Sequence, residues 1–248
     1  MNIALIGYGK MGKMIERIAL ERGHKIVSVI DAENRSEMNG EAFRTADCAI
    51  EFSMPSAALQ NVKDALAQGV PVVCGTTGWT AALPEIKEIC DNGGGTFLFA
   101  SNFSVGVNIF MAVNRYLARI MNRFPQYHPS MEETHHIHKL DHPSGTAITL
   151  AEEIVDETGR IGGWCESIKD GEAGKSAGDL SGEVLEIEHI RRGEVPGIHT
   201  IQWDSSVDTI TISHSAKSRE GFALGAVLSA EWLAGKTGFH TIGEVFEF

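Results

Sequence analysis

The sequence has few cysteines and few prolines, and it has no long apolar run. Its 248 residues include 4 Cys and 7 Pro, and no two cysteines form a C-x-x-C pair. This scarcity argues against a zinc finger and against a secreted scaffold held by disulfides, so we expect reduced thiols. No apolar stretch reaches the roughly 20 residues of a membrane-spanning helix, and we expect no membrane partner.

Positive charge is also in deficit. The chain has 21 Lys and Arg against 33 Asp and Glu, a formal net charge of -12. A chain of this charge repels polyanions, so we expect no nucleic-acid partner, and a small anionic ligand would need a local basic pocket. The first residues lack the basic segment of a secretory signal, which makes a cytoplasmic location the default expectation.

What is present is typical of a folded globular protein. Hydrophobic residues make up 43% of the chain and charged residues 22%, which is enough apolar material for a buried core. The length predicts one large domain or two small ones.

Short β-branched runs alternate with helix-period runs through the first hundred residues. Strands are predicted at residues 3–6, 26–30, 48–52, 70–74 and 96–99. Helices are predicted at residues 11–19, 55–68 and 84–91. Successive β-α-β steps predict an α/β fold, a parallel sheet with helices on both faces.

The pattern changes after the fifth predicted strand. Residues 105–124 form a long helical run, and the stretches 181–192 and 209–214 alternate polar and apolar residues, which is typical of a sheet with one wet face. A second, antiparallel unit is therefore predicted. The glycine-rich stretch 159–182 is interpreted as a long mobile loop, and the helix predicted at 222–233 is placed to return to the first domain.

The first predicted turn carries a glycine pattern. Gly7-Tyr8-Gly9-Lys10-Met11-Gly12 is a G-x-G-x-x-G that follows a strand and opens a helix, the context in which this pattern binds a dinucleotide. Gly7 permits the tight turn, Gly9 the close approach of a pyrophosphate, and Gly12 the contact between helix and strand. Asp31 ends the second predicted strand, where a carboxylate binds ribose hydroxyls. The alternative is a tight turn without a ligand.

The same region bears on which cofactor is bound. The Asp31 carboxylate favours NADH because it repels a 2′-phosphate, although Asn34 and Arg35 lie close enough to offset this. Residues 74–78 and 100–103 follow the fourth and fifth predicted strands, at the edge where ligands of open α/β sheets bind. They are predicted to contact the cofactor, with ordinary turns as the alternative.

Histidine is concentrated in one passage. Of the 10 histidines, His135, His136, His138 and His142 lie within a few residues of one another, with Lys139 among them. Imidazole titrates near neutral pH and the lysine ammonium is a proton donor, so the passage suits proton transfer. A metal site and a solvated or core histidine cluster are the alternatives. The spacing is not that of a structural zinc site, and no metal is expected.

A helix start follows this passage directly. Ser144 is a candidate N-cap, and the apolar stripe of residues 147–155 continues behind Gly145 and Thr146. A helix N-terminus with small residues is a cradle for a carboxylate, which would place an anionic substrate beside Lys139. A plain capped helix is the alternative.

Taken together, these residues resemble the family of 4-hydroxy-tetrahydrodipicolinate (dihydrodipicolinate) reductases of the diaminopimelate and lysine pathway. The resemblance covers nearly the whole chain and rests on motifs in the family's order. They are Gly7-x-Gly9-x-Met11-Gly12, Gly75-Thr76-Thr77-Gly78, Ser101-Asn102-Phe103-Ser104-Val105-Gly106-Val107-Asn108, Glu133-x-His135-His136-x-x-Lys139-x-Asp141-x-Pro143-Ser144-Gly145-Thr146-Ala147, Arg191-x-Gly193 and Gly197-x-His199-Thr200. The fourth motif is highly specific, and the others support it.

The resemblance implies a Rossmann-type cofactor domain built from residues 1–103 and 218–248. It also implies a central α+β domain, residues 104–217, with a mixed or antiparallel sheet, for substrate binding and tetramerisation. The implied activity is the NAD(P)H-dependent reduction of 4-hydroxy-tetrahydrodipicolinate to tetrahydrodipicolinate by a homotetramer. Closure about the junctions near residues 102–105 and 218–222 is expected to assemble the site.

The resemblance also implies roles for single residues. His135 matches the acid/base residue of the family and Lys139 its proton donor, and either is a candidate to deliver the proton. The substrate positions are His136, Ser144, Gly145 and Thr146. The cofactor positions are Gly7, Tyr8, Gly9, Lys10, Met11, Gly12, Asp31, Gly75, Thr76, Thr77, Ala100, Ser101, Asn102 and Phe103.

Certain positions depart from the family's usual residues. Ala32 stands where some members carry an Arg assigned to the 2′-phosphate, which strengthens the preference for NADH. His142 and Thr134 stand where Ala is frequent, and neither changes the assignment. The chain is shorter than many members, so the family carries no expectation for the loops near residues 35–45 and 160–180.

Two other functions compete with this interpretation. A semialdehyde or homoserine dehydrogenase shares the two-domain plan, but a semialdehyde dehydrogenase needs a thiolate nucleophile. Cys74 is the nearest candidate and has no adjacent base in the sequence. A regulatory protein that binds NAD(P) without catalysis would leave His135, His136 and Lys139 without a role.

Overall fold

The computed structural model describes residues 1–167 and 174–247. Numbered along the chain, the strands are β1 (Asn2–Ile6), β2 (Lys25–Ile30), β3 (Cys48–Glu51), β4 (Val72–Cys74), β5 (Thr96–Phe99), β6 (His128–His135), β7 (Ile161–Glu166), β8 (Ser176–Gly178), β9 (Glu183–Arg191), β10 (Ile198–Asp204), β11 (Thr209–Ser215) and β12 (Gly238–Thr241). The helices are α1 (Lys10–Glu21), α2 (Glu41–Arg44), α3 (Pro55–Ala67), α4 (Leu83–Asp91), α5 (Val105–Met121), α6 (Gly145–Glu157), α7 (Glu220–Leu233) and α8 (Ile242–Phe246). Short 3₁₀ helices cover Arg35–Asn39 and Thr80–Ala82.

The chain forms two compact units. One comprises Met1–Asn108 and Arg219–Phe248, and the other comprises Ile109–Ser218. The first unit thus extends beyond the boundary predicted at residue 103. The reason is that the start of α5 is bonded to the segment before it, since the Asn108 side-chain amide donates to the carbonyl oxygen of Asn102 at 3.1 Å.

The sheet of the first unit is parallel, with the strand order β12-β5-β4-β3-β1-β2. The strands predicted in the first hundred residues are present, and the predicted α/β class is confirmed. Strand β12 was not predicted, because it is short and lacks a clear alternation. It pairs with β5 from Gly238 opposite Thr96 to Thr241 opposite Phe99.

Helices cover both faces of this sheet, because successive strand residues point in opposite directions. Ile6 faces a core that includes Val62 of α3 and Ile86 of α4. Leu5 faces a second core that includes Ile15 of α1 and Val227 of α7. Each fully buried aliphatic side chain of this kind stabilises the fold by about 1.5–3 kcal/mol.

Helix α7 packs into the first unit through a glycine. A Cβ on Gly225 would lie 1.7 Å from the carbonyl oxygen of Phe103. Only glycine allows the helix backbone to approach this closely.

The sheet of the second unit is mixed, with the order β11-β10-β6-β9-β7-β8. β9 runs parallel to both β6 and β7, whereas β10 is antiparallel to β6 and β11. The sheet is therefore not purely antiparallel as the strand pattern suggested, because α6 forms a crossover between β6 and β7 and both strands point the same way.

The stretch predicted as a mobile loop, residues 159–182, contains strands β7 and β8. They pair from Gly163 opposite Gly178 to Cys165 opposite Ser176. The glycines serve this pairing, since a Cβ on Gly163 would lie 2.2 Å from the carbonyl oxygen of Ala177. The prediction was wrong for these strands, and residues 168–173 lie outside the described part of the chain.

Helix α6 covers one face of the mixed sheet. Its Leu150 and Ile154 pack with Leu185, Ile187 and Trp203 in one core. Among the helices that the structure describes, none combines the length and the apolar character needed to cross a membrane.

Candidate active site

A cavity of about 460 Å³ opens in the first unit where β1, β2 and β3 end. These strands are neighbours around the point where the strand order reverses, which is where open α/β sheets bind nucleotides. The lining residues are Ile6, Gly7, Tyr8, Gly9, Ile30, Asp31, Ala32, Arg35, Phe52, Ser53, Met54, Ala57 and Asn61.

The glycine pattern shapes one wall of this cavity. Gly7 has a φ of 91°, and a Cβ there would lie 2.2 Å from the carbonyl oxygen of Phe52. A Cβ on Gly12 would lie 2.2 Å from the carbonyl oxygen of Gly7, so both are needed for close backbone contacts. Gly9 has no atom within 4 Å of such a position and precedes α1 without a side-chain cap. Open space beside the first N–H groups of a helix fits a pyrophosphate.

Two charged side chains line the same cavity. Asp31 is exposed, and its Oδ1 accepts a hydrogen bond from the backbone N of Ala32 at 2.8 Å. Arg35 Nη2 pairs with Asp64 Oδ2 at 2.5 Å. The cavity wall thus presents the carboxylate of Asp31, while the charge of Arg35 is balanced by Asp64.

The other predicted cofactor residues lie elsewhere in the first unit. Lys10 and Met11 stand in the first turn of α1, residues 75–77 follow β4, and residues 100–103 follow β5. Thr76 is buried and its Oγ1 accepts from the backbone N of Ser53 at 2.8 Å. Of the last segment, Ala100 and Phe103 are only 3% and 2% exposed, so their side chains belong to the core.

Part of the cavity wall was not predicted from the sequence. Phe52, Ser53 and Asn61 received no role, although the first two directly follow β3. A place for Phe52 and Ser53 at the cavity could have been predicted, because the carboxyl ends of parallel strands lie at one edge of a sheet.

Cys74 is not suited to act as a thiolate nucleophile. Burial and the neighbouring Glu51 raise the pKa of its thiol well above the usual range. Its Sγ donates to Glu51 Oε2 at 3.1 Å. The thiol therefore stays protonated at neutral pH, which counts against a semialdehyde dehydrogenase.

A buried carboxylate organises the site of the second unit. Glu133, on β6, is 0% exposed. Its Oε2 accepts from the backbone N of Ser144 at 3.0 Å and lies 3.5 Å from Nδ1 of His135 and 3.7 Å from Nε2 of His199. Its Oε1 lies 3.3 Å from Nη2 of Arg191. Strands β6 and β10 account for part of this arrangement, since His199 stands opposite Glu133 in their antiparallel register.

Both imidazoles beside Glu133 are held neutral. Burial lowers the pKa of His135, against the opposing influence of Glu133, and the charges of Lys139 and Arg191 lower it further. Burial, with His135 nearby, lowers the pKa of His199 to about 3. At neutral pH, each ring therefore carries a single proton.

Lys139 lies in the loop between β6 and α6. Its Nζ donates to both carboxylate oxygens of Asp141, at 2.8 and 2.7 Å. The hydrogen bond from Lys139 lowers the pKa of Asp141. Arg191 holds the backbone of this loop. Its Nε donates to the carbonyl oxygen of Lys139 at 3.2 Å, and its Nη2 donates to that of Asp141 at 2.8 Å.

The predicted helix start is present. Ser144 is the N-cap of α6, and its Oγ accepts from the backbone N of Ala147 at 3.2 Å. The same hydroxyl lies 3.2 Å from Nε2 of His199. Gly145 is exposed at the first helical position, and Thr146 is half-buried.

His136 stands apart from the Glu133 group. Its carbonyl oxygen accepts from the backbone N of Lys139 at 3.1 Å, and its ring centroid lies 6.0 Å from that of His138. The exposed His138 pairs with Glu194 at 3.1 Å.

Two family models match the chain. The one described as "Dihydrodipicolinate reductase, N-terminus" covers residues 1–103, and the one described as "Dihydrodipicolinate reductase, C-terminus" covers residues 106–246. The chain belongs to the dihydrodipicolinate reductase family. The family predicted from the sequence motifs is thereby confirmed, and with it the expectation of an oxidoreductase.

Curated relatives and a solved structure agree with this membership. A 4-hydroxy-tetrahydrodipicolinate reductase of Christiangramia forsetii is 44% identical over 247 residues, which cover 99% of this chain and 97% of the relative. Another, of Archaeoglobus fulgidus, is 33% identical over 271 residues and is covered completely, as is this chain. The dipicolinate-bound dihydrodipicolinate reductase of Paenisporosarcina sp. TG-14 has a TM-score of 0.75 at 19% identity, with 98% of each chain covered, and shows a shared fold.

In this member of the dihydrodipicolinate reductase family, the site includes three residues to which the sequence had assigned no role. Glu133, Arg191 and His199 were quoted as parts of motifs without a role. The alternation of β6 places Glu133 and His135 on one face, which the sequence could have shown. The contacts of Glu133 with Arg191 and His199 need the order of the strands, which no local pattern encodes.

Proposed function

We propose that this protein reduces 4-hydroxy-tetrahydrodipicolinate to tetrahydrodipicolinate with NAD(P)H in the diaminopimelate and lysine pathway. The observation that carries the proposal is the arrangement around Lys139. Arg191 bonds the backbone of the loop that carries Lys139, and this loop connects the strand of the buried Glu133 and His135 pair to the start of α6. The names of the curated relatives supply the substrate class.

The first unit is proposed to hold the dinucleotide. The open space at Gly9 and the first N–H groups of α1 fit the pyrophosphate, and Asp31 fits the adenosine ribose. A bound dihydronicotinamide supplies the hydride. The cofactor contacts predicted for the residues after β4 and β5 stay predictions. Ala100 and Phe103 would contact the cofactor through backbone groups, because both side chains are in the core.

The proton is proposed to come from Lys139. Hydride addition to a conjugated C=N system leaves an electron-rich centre that must be protonated. His135 is neutral in the free protein because burial lowers its pKa, so the imidazole is the weaker acid candidate. The Lys139 ammonium carries the proton and gives it up at Nζ, and His135 then acts beside it as a neutral hydrogen-bonding group.

The carboxylates of the substrate are proposed to bind at the start of α6 and at His136. Gly145 is exposed there, and a helix N-terminus offers backbone N–H groups and the positive end of the helix dipole. The Ser144 hydroxyl already accepts from the Ala147 amide and contacts His199. We therefore assign Ser144 the role of fixing the helix start, and not that of binding the substrate through its side chain.

NADH is proposed as the preferred cofactor. The Asp31 carboxylate would lie beside the 2′ position of an adenosine ribose, where it repels a phosphate. Arg35, the cation nearest in sequence that lines the cavity, is paired with Asp64. Residue 32 is an alanine and adds no positive charge.

We also propose a cytoplasmic homotetramer. Exposed apolar side chains of α5 support association, since Ile109, Val113 and Tyr116 are 45%, 44% and 66% exposed and follow one another at helical spacing. Sedimentation of the purified chain should give four times the monomer mass. A monomer at micromolar concentration would contradict this proposal.

A synthase-coupled assay tests the reaction. Aspartate semialdehyde and pyruvate are supplied with the preceding synthase, and oxidation of NADH and of NADPH is followed in parallel. We expect oxidation that depends on the synthase and is faster with NADH. Absence of turnover with both cofactors would contradict the proposed function.

A further inference from the structure

Three metal-ligating side chains converge in the second unit outside the Glu133 group. They are His142 in the loop before α6, Glu166 at the end of β7 and His189 on β9, here called the His142 cluster. Their ligand atoms all lie within 4.8 Å of one another. The sequence motifs assign no role to any of these three residues.

One carboxylate oxygen is shared by the two imidazoles. Glu166 Oε1 is hydrogen-bonded to Nδ1 of His142 and lies 2.9 Å from Nδ1 of His189. The two rings are stacked, with centroids 4.4 Å apart and planes inclined by 15°, so both Nδ1 atoms face the same carboxylate. Glu166 Oε2 accepts from the backbone N of Lys175 at 3.0 Å, which orients the carboxylate.

Hydrogen bonding within this cluster is incomplete. His189 Nδ1 is buried, and despite its short distance to Glu166 it makes no well-aligned hydrogen bond with any described residue. A buried polar atom of this kind calls for a partner.

We propose that His142, Glu166 and His189 form a binding site for one zinc ion. Two imidazole nitrogens and one carboxylate oxygen make a ligand set that suits zinc, whereas calcium and magnesium prefer oxygen ligands alone. The side chain of His142 is 46% exposed, which leaves an entry path and a fourth position for water. Glu166, 3% exposed, forms the closed side of the site.

The Glu133 group does not offer an equivalent site. Its carboxylate already accepts from the Ser144 amide and lies 3.3 Å from the Arg191 guanidinium. A permanent cation at that distance opposes a second one. Among the described side chains, no guanidinium or ammonium contacts the Glu166 carboxylate, and the Lys175 ammonium donates to the backbone carbonyl oxygen of His142 rather than to a ligand atom.

The ion would join three separate segments of the second unit. His142 stands between Lys139 and the helix start at Ser144, while Glu166 and His189 belong to strands of the mixed sheet. Zinc binding therefore ties the loop that carries Lys139 to the rigid sheet. This inference goes beyond the proposed function and does not depend on it.

Zinc binding by the untagged full-length chain tests the site. Equilibrium dialysis against zinc, with a chromogenic chelator as competitor, should give one zinc per chain. His142→Ala and Glu166→Gln should each lower the affinity at least about tenfold, since even outer partners of metal ligands contribute that much. His128→Ala is the matched control, because its exposed imidazole pairs with Glu183 at 2.9 Å in the same unit, and it should bind as the parent does.

Cobalt provides a second readout. The cobalt-loaded parent should show the visible absorption bands of a four-coordinate ion, and His189→Gln should lose them. Circular dichroism of each variant establishes that it is folded. No zinc retained by the parent, or equal affinity in the parent and in folded His142→Ala and Glu166→Gln, would overturn the site. Because no substrate or dinucleotide is present, either result stands apart from the outcome of the reductase assay.

Discussion

At the scale of single residues, Lys139 occupies a loop whose backbone is held by Arg191 and whose side chain pairs with Asp141. Replacement by alanine removes the proposed proton donor and its ion pair with Asp141, but no part of the three hydrophobic cores, to which Lys139 does not belong. We expect Lys139→Ala to lower kcat by about 10²–10⁴, the usual contribution of a positioned acid. Thermal unfolding should be nearly unchanged. Turnover within a fewfold of the parent would contradict this role.

His199 gives the protein a stability that depends on pH. Burial lowers its pKa to about 3, compared with about 6.5 in an unfolded chain. Below pH 6.5 the unfolded chain takes up a proton that the folded chain does not. The free energy of unfolding therefore falls as pH drops from about 6.5 toward 3, at up to about 1.4 kcal/mol per pH unit, and is constant above 6.5.

Urea unfolding at pH 7 and pH 5 measures this effect. The parent should lose about 2 kcal/mol from His199 over this interval, and His135 and His189, whose pKa values burial also lowers, act in the same direction. His199→Gln should lose less, while the exposed His128→Gln serves as control. Asp141, with its lowered pKa, titrates below this window. Equal losses in the parent and in His199→Gln would refute the assignment.

Asp31 sets the proposed cofactor preference. Asp31→Asn removes the negative charge that repels a 2′-phosphate and keeps the size of the side chain. We expect the ratio of kcat/KM for NADPH to that for NADH to rise at least about tenfold, which corresponds to about 1.4 kcal/mol. Glu37→Gln, which neutralises a carboxylate on the neighbouring 3₁₀ helix, is the control. The idea fails if Asp31→Asn leaves the ratio unchanged, or raises it no more than Glu37→Gln does.

At the scale of elements, the contact of α7 with Phe103 depends on Gly225. An added Cβ would lie 1.7 Å from the Phe103 carbonyl oxygen, so the helix must shift. Gly225→Ala should lower the free energy of unfolding by about 1–3 kcal/mol. Gly221→Ala in the same helix meets only Ser104 Oγ, at 3.4 Å, and should be neutral or stabilising by about 0.5–1 kcal/mol. Urea unfolding of both variants compares them, and equal stabilities would contradict the packing described.

The elements predicted from the sequence each have a clear local pattern of apolar residues. Strands β1 to β5 are short apolar runs, and α1 has an apolar stripe through Ile15 and Ile18. Strands β7 and β8 were missed because glycine normally marks turns. At Gly163 it instead permits a close strand pairing whose partner, Ala177, is not visible in a local pattern.

At the scale of the whole molecule, the net charge of -12 opposes an anionic cofactor and a dicarboxylate. Attraction has to come from local features. The features proposed for this are the N–H groups at the start of α1 in the first unit, and Lys139, His136 and the start of α6 in the second unit.

The candidate site was predictable where its residues lie in one motif. His135, Lys139 and the cap at Ser144 all belong to one continuous passage. The partners of Glu133 come from other strands, and its ion pairs with Arg191 and His199 follow from sheet order and register rather than from local spacing. Burial decides the protonation of His135, and burial depends on the whole unit.

Isotope transfer tests the central claim most directly. The synthase-coupled reaction is run with NADH carrying deuterium at both C4 positions, and the tetrahydrodipicolinate formed is weighed by mass spectrometry. The account predicts a product one mass unit heavier than that made with unlabelled NADH, at a rate that Lys139→Ala lowers by about 10²–10⁴. An unlabelled product, or NADH oxidation without reduced dicarboxylate, would contradict the proposed reduction.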